Sequence, residues 1–238
     1  MTQLSALFSE PDLRRIEAAI RDAEARTRGE IVAVAAPASG EYPGAAWTGA
    51  CLGALGALLA LVLVHWLGDF WGVGSPLWAL LAAVAGAGLG YLAAGGSDAL
   101  KRLLVPDEVL VRQVDLAARA AFLDHEVFAT RERSGVLLYL SLLEHRVEVL
   151  ADSGVEAVVH PGEWDEIVAG IVRGIREGRA ADALIEAIGR CGEILDRRGL
   201  ERREDDADEL ANRLRLGGRE GGGEDGGGGG GRGGEEEE

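Results

Sequence analysis

The residues of this chain whose types could do chemistry are carboxylates between positions 126 and 152. Asp152 closes an apolar run and precedes Ser153-Gly154. In α/β sheets, side chains at strand ends of this kind reach a cleft. An ionised carboxylate is a hard oxygen ligand, and a calcium-like ion takes roughly six to eight oxygens. Asp152 would therefore need companions, and Glu144, Glu148 and Glu126 are the candidates near it in sequence. A second role is open to Asp152, because a short acidic side chain after a strand also caps the following turn or helix. Arg131 and Arg133, with Arg146, are candidates for an anion patch beside it, against the plainer account of an exposed, solvated loop.

Other catalytic patterns break off. His125-Glu126 opens a His-Glu-x-x-His zinc motif, but position 129 is Ala. Ser141 and Ser153 lack the Gly-x-Ser-x-Gly setting of a hydrolase elbow. His65, His145 and His160 have no partner at ligand or general-base spacing, so no catalytic residue is assigned. The polyglycine near the C-terminus follows no strand and opens no helix, unlike a phosphate-binding loop. A net charge of −16 over 238 residues argues against nucleic acid, which requires a basic surface.

The elements that must position these residues can be read from periodicity. Ser9 is an N-cap, with Glu10, Pro11 and Asp12 in the first turn. Leu13, Ile16, Ile20 and Ala23 then share one helical face, and Gly29 stops the helix before a buried strand over Glu30–Ala36. A helix starts at Pro106-Asp107, with Leu110, Val114, Ala117 and Ala121 on one side. Gly135–Ser141 and Arg146–Ala151 read as two strands, joined closely enough to pair antiparallel. Trp164, Ile167, Val168 and Ile171 begin an amphipathic helix, and Ala183, Leu184, Ala187 and Ile188 another. Three or four strands with four helices predict a layered α/β domain.

That domain is interrupted. The stretches 45–66 and 76–94 carry no charged side chain, and each approaches or exceeds the ~20 residues that cross a bilayer. Gly49, Gly53, Gly56, Gly86, Gly88 and Gly90 suit close helix contact in lipid, and Trp66, Trp71, Trp78 and Tyr91 cluster at the ends. Residues 45–96 are thus expected to form a two-pass hairpin in an integral membrane protein, placed between residues 1–40 and 98–198 of one domain. The connector Leu67–Ser75 holds no Lys or Arg, whereas Arg28, Lys101 and Arg102 flank the spans. The positive-inside rule then puts both termini in the cytoplasm. The expected partners are the lipid bilayer and either another membrane protein or a second copy, held through the Gly/Ala-rich hairpin. Residues 199–238 form an acidic, Gly-rich tail whose last twenty or so residues are expected to be disordered.

From Thr130 to Gly154 the chain resembles the TPM domain family. The shared positions are Thr130, Gly135, Ser141, Glu144, Arg146, Asp152 and Gly154, joined by Trp164 downstream and Glu30 at the start of the first strand. The resemblance covers about residues 5–40 and 105–198. It implies a small mixed sheet sandwiched by helices, the same class that the periodicity predicts. Some family members are described as acid phosphatases with a bound calcium ion, which implies an alternative role for a site near Asp152, with Glu144 and Glu148. The leading expectation remains a membrane-anchored, non-enzymatic interaction or accessory module at the cytoplasmic face.

Overall fold

The computed structural model describes residue 4 and residues 7–68, 76–198 and 213–216. Helix α1 (Glu10–Glu24) begins with a capping box: Ser9 Oγ accepts the Asp12 N–H while the Asp12 carboxylate accepts the Ser9 N–H. Strand β1 (Glu30–Ala36) follows, buried over all seven residues. Two long helices come next, α2 (Pro43–Gly68) and α3 (Pro76–Gly96), then the short α4 (Asp98–Leu104) and the longer α5 (Asp107–Asp124). Strands β2 (Gly135–Ser141) and β3 (Arg146–Ala151) lead into the one-turn α6 (Ser153–Glu156), α7 (Pro161–Arg176) and α8 (Ala180–Arg197). A two-residue strand, β4 (Arg215–Leu216), ends the described chain.

The sheet order is β3-β2-β1-β4. Strands β1 and β2 run parallel, in register from Glu30–Gly135 to Ala36–Ser141, and β3 returns antiparallel to β2. The apolar run of β1 has a simple origin, since both of its faces are covered. Ile31, Ala33 and Ala35 meet α1, α7 and α8 in the main core, which is filled by Ile16, Ile20, Ile167, Ile171, Leu184, Ile188 and Leu195. Val32 and Val34 face the other way, with Leu137 and Tyr139, onto Val114 and Ala118 of α5. Helices α1 and α8 approach closely at Gly192, where a Cβ would stand 2.9 Å from that of Ala23. Cys191 beside it is buried and unpaired, and desolvation pushes its thiol up to about 12.

The expected mixed α/β sandwich is therefore present, and the hairpin enters between its first two strands. Helices α2 and α3 are each long and apolar enough to cross a membrane. They leave large apolar side chains such as Leu55, Leu59 and Leu89 uncovered along most of their length. They touch through backbone: a Cβ on Gly49 would come 2.5 Å from the Gly90 carbonyl oxygen, and one on Gly53 would stand 3.1 Å from Gly90 Cα. Gly53, Gly86 and Gly90 are thus consumed inside the hairpin, while a Cβ on Gly56 would meet nothing within 4 Å.

Two segments differ from the sequence expectation. Helix α2 starts at Pro43, two residues before the expected span 45–66, because Pro is favoured in a first helical turn. The region expected to be only an acidic tail supplies β4, which pairs with Val34 and Ala35 of β1 and buries Leu214 against the core. A two-residue strand is too short to show a period. The disorder expected of the last twenty or so residues, and most of the connector after Gly68, lie outside the described residues.

Candidate functional site

The two ends of the parallel strand pair carry the buried polar residues. At the amino end, the turn after α1 and the loop before β2 lock together. Thr27 Oγ1 accepts the Gly29 N–H at 3.1 Å, and Thr130 Oγ1 accepts the Ser134 N–H at 2.8 Å. Ser134 Oγ donates to the Arg28 carbonyl at 2.9 Å, and Arg28 pairs with Glu132 at 2.7 Å. Glu24, buried, accepts the Ile31 N–H at 2.8 Å and so fixes where β1 begins. Glu30 is buried at the same edge, its N–H donating to the Ser134 carbonyl.

Asp152 sits in this end group. It caps α6, accepting the Ser153 N–H at 2.6 Å on Oδ1, and its Oδ2 faces the Arg133 guanidinium at 2.9 Å. The neighbouring glycines have steric reasons. A Cβ on Gly135 would overlap the Val127 carbonyl, and one on Gly154 would meet the Arg133 carbonyl, which instead accepts the Gly154 N–H at 3.0 Å. Trp164 packs, partly buried, on the main core from α7.

At the carboxyl end, Glu144 is the centre of a second group. It is 5 % exposed. Its Oε1 accepts the Tyr42 hydroxyl and the Ser39 N–H, the latter at 2.9 Å, and its Oε2 accepts the Ser141 hydroxyl. Ser39 Oγ donates to Ser141 Oγ at 2.6 Å and lies 3.2 Å from the Tyr139 hydroxyl. Burial, followed by the adjacent Glu144, pushes the Tyr42 phenol well above its ordinary value, so it remains a donor at neutral pH. Burial likewise raises Tyr139, against the lowering effect of its bond to Ser39. An apolar cluster of Tyr42, Ala45, Leu110 and Leu143 adjoins this network. Tyr42 immediately precedes α2, so a buried carboxylate grips the residue from which the apolar hairpin departs.

The sequence candidates are therefore divided between two edges. Glu144 precedes β3 and Asp152 follows it, and six strand residues separate them by about 20 Å. Glu148 lies mid-strand, its carboxyl raised by burial and by Asp115 against the opposing pull of Arg119 and Arg146. Glu126, exposed, occupies the turn after α5 with φ of 52°. The four carboxylates do not converge, and among the described residues no group of three or more His, Cys, Asp or Glu is arranged to hold a metal ion. The arginines separate too: Arg133 serves Asp152, while Arg146 reaches Asp107 at the start of α5 at 2.6 Å. Ser39, Tyr42 and Tyr139 escaped the sequence reading. Tyr42 directly before a membrane-length helix was the available signal.

His145, in the turn between β2 and β3, adopts φ of 53°, and its ring lies against the Arg102 guanidinium of α4. Burial, then Arg102 and Arg176, lower its pKa, with Glu144 opposing.

A parallel pair with an antiparallel return, helices on both faces and a helical hairpin between the first strands define a mixed α/β domain carrying an inserted apolar hairpin. Residues 109–194 match the family model of the TPM domain, and the protein carries a TPM domain there. The NMR structure of the BA42 protein from the psychrophilic bacterium Bizionia argentinensis is similar in fold. Its TM-score is 0.54 at 18 % identity, covering 88 % of this chain and 95 % of that one. No curated protein matches the sequence.

Proposed function

We propose that this is an integral membrane protein whose TPM domain acts as a non-enzymatic interaction or accessory module at the cytoplasmic face. The observation that carries the reading is the junction. The Glu144 carboxylate binds Tyr42, Ser39 and Ser141 and so holds the domain against the base of two uncovered apolar helices. A hairpin of this kind loses its exposure only in lipid or against another membrane protein. Its aromatic residues support the placement. Trp47 and Tyr91 stack edge-to-face with centroids 5.3 Å apart near the domain, and Trp66 and Trp78 lie towards the far end. Trp47 and Trp66 are about 28 Å apart along α2 by the helical rise, close to a hydrocarbon core of about 30 Å. Lys101 and Arg102, just after α3, favour the cytoplasmic side.

Asp152 and Glu144 are each bonded within the fold, which supports structural roles for them. Crosslinking in native membranes tests the module reading: one reproducible membrane-protein partner should crosslink to the TPM domain. Hydrolysis of a phosphomonoester by the purified protein with calcium, lost on Asp152→Asn, would replace this reading with that of a metal-dependent phosphatase.

A further inference from the structure

Helix α5 buries Leu110, Val114 and Ala118 against the sheet and neighbouring cluster. Its opposite face is no ordinary solvated surface. Val109, Arg112, Leu116, Arg119 and Leu123 recur at i, i+3, i+7, i+10 and i+14, one stripe of the helix. Leu116 and Leu123 are 50 % and 62 % exposed, and Leu103 on the preceding α4 is 77 % exposed. In a chain of net charge −16, the only charged members of this stripe are arginines. The acids Glu108 and Asp115 lie on one flank, where Asp115 binds Arg119 Nε at 2.8 Å.

We propose that this outward face of α5, with Leu103, docks on the surface of an anionic phospholipid bilayer. The inference rests on the membrane placement of the hairpin. Three observations favour a lipid surface over other occupants. Helix α4 begins two residues after α3 ends, and α5 follows it directly. The first half of α5 is packed at the hairpin's base: Leu110 clusters with Tyr42 and Ala45, and a Cβ on Gly40 would lie 3.1 Å from Gln113. Leucine and arginine alternating on one face also match an interface, where apolar groups enter the acyl boundary and guanidinium groups stay at phosphate level.

The test uses the full chain reconstituted in vesicles, carrying an environment-sensitive fluorophore at Leu116→Cys in a Cys51→Ala background. Cys191 is buried. A control label at Glu186→Cys reports the exposed side of α8. In phosphatidylcholine vesicles containing phosphatidylglycerol, the Leu116 label should become several-fold less accessible to an aqueous quencher, and the Glu186 label should not change. Pure phosphatidylcholine, or Arg112→Gln with Arg119→Gln, should abolish most of that protection. A Leu116 label equally open in both lipids, on protein that resists alkaline extraction, overturns the docking face and leaves the hairpin standing. Protein washed from the vesicles by alkali overturns both readings. Protection that disappears on dilution of protein in the bilayer assigns the face to a second copy and refutes the lipid surface.

Discussion

Replacing Glu144 with Ala should uncouple the domain from its hairpin. The change removes both carboxylate oxygens and leaves three donors without their acceptor: the buried Tyr42 and Ser141 hydroxyls and the half-buried Ser39 N–H. A hydrogen bond to a charged group contributes about 1.5–3 kcal/mol, and a stranded buried donor costs about 1–3 kcal/mol. The freed Ser141 hydroxyl can turn to donate to Ser39 Oγ, 2.6 Å away, while Ser39 turns its own hydroxyl to Tyr139, so one loss is partly compensated. A total of about 3–5 kcal/mol follows, a large share of the roughly 5–15 kcal/mol that holds a domain folded. Tyr42→Phe removes one donor, leaves the carboxylate two others, and should cost about 1–2 kcal/mol. The assay is amide hydrogen exchange on the detergent-solubilised full chain, read at Ser39 and at Ile31. Glu144→Ala should accelerate exchange at Ser39 by a hundredfold or more, and Tyr42→Phe by about tenfold. Ile31, held by Glu24 at the other end of β1, should change much less. Exchange at Ser39 within a factor of two of the native rate in Glu144→Ala would refute the claim that this carboxylate clamps the junction.

Gly53→Val should splay the hairpin, because its Cβ would overlap the Gly86 carbonyl; disulfide crosslinking between cysteines at positions 46 and 95, whose Cβ atoms would stand 3.7 Å apart, should fall sharply, while Gly56→Val leaves it unchanged. Arg133→Ala should cost about 1–2 kcal/mol by denaturant unfolding, since a half-exposed guanidinium is removed from a buried carboxylate that keeps its Ser153 bond. The folded state disfavours charged His145, so its contribution to stability is complete above pH about 6.5 and is lost as pH falls through the lowered native value. His145→Asn, which tolerates the left-handed backbone there, should flatten the unfolding curve's pH slope below 6.5; an unchanged slope would exclude His145 as its source.

Much of the fold could be read before any coordinates. The Ser9 cap with Asp12, the β-branched run Ile31–Val34 and the apolar strand 135–141 each carry a local signal strong enough to name the element. The candidate site was only half legible. Asp152 was recognisable as a cap because its partner Ser153 is the next residue. Glu144 was singled out without its role, because Ser39 and Tyr42 lie more than a hundred positions away, across the whole inserted hairpin. The four carboxylates looked close in sequence, yet a strand extends its ends, so β3 carries Glu144 and Asp152 to opposite edges of the sheet.

The amino-acid order alone determined the class of domain, its interruption by two uncharged membrane-length helices, and the caps and strands, since each depends on periodicity or on neighbours a few residues apart. Tertiary structure decided which glycines the hairpin consumes, that Leu214–Leu216 return to the sheet edge, and which donors surround Glu144. Those depend on contacts between segments far apart in the chain, and such contacts leave no period for a sequence to display.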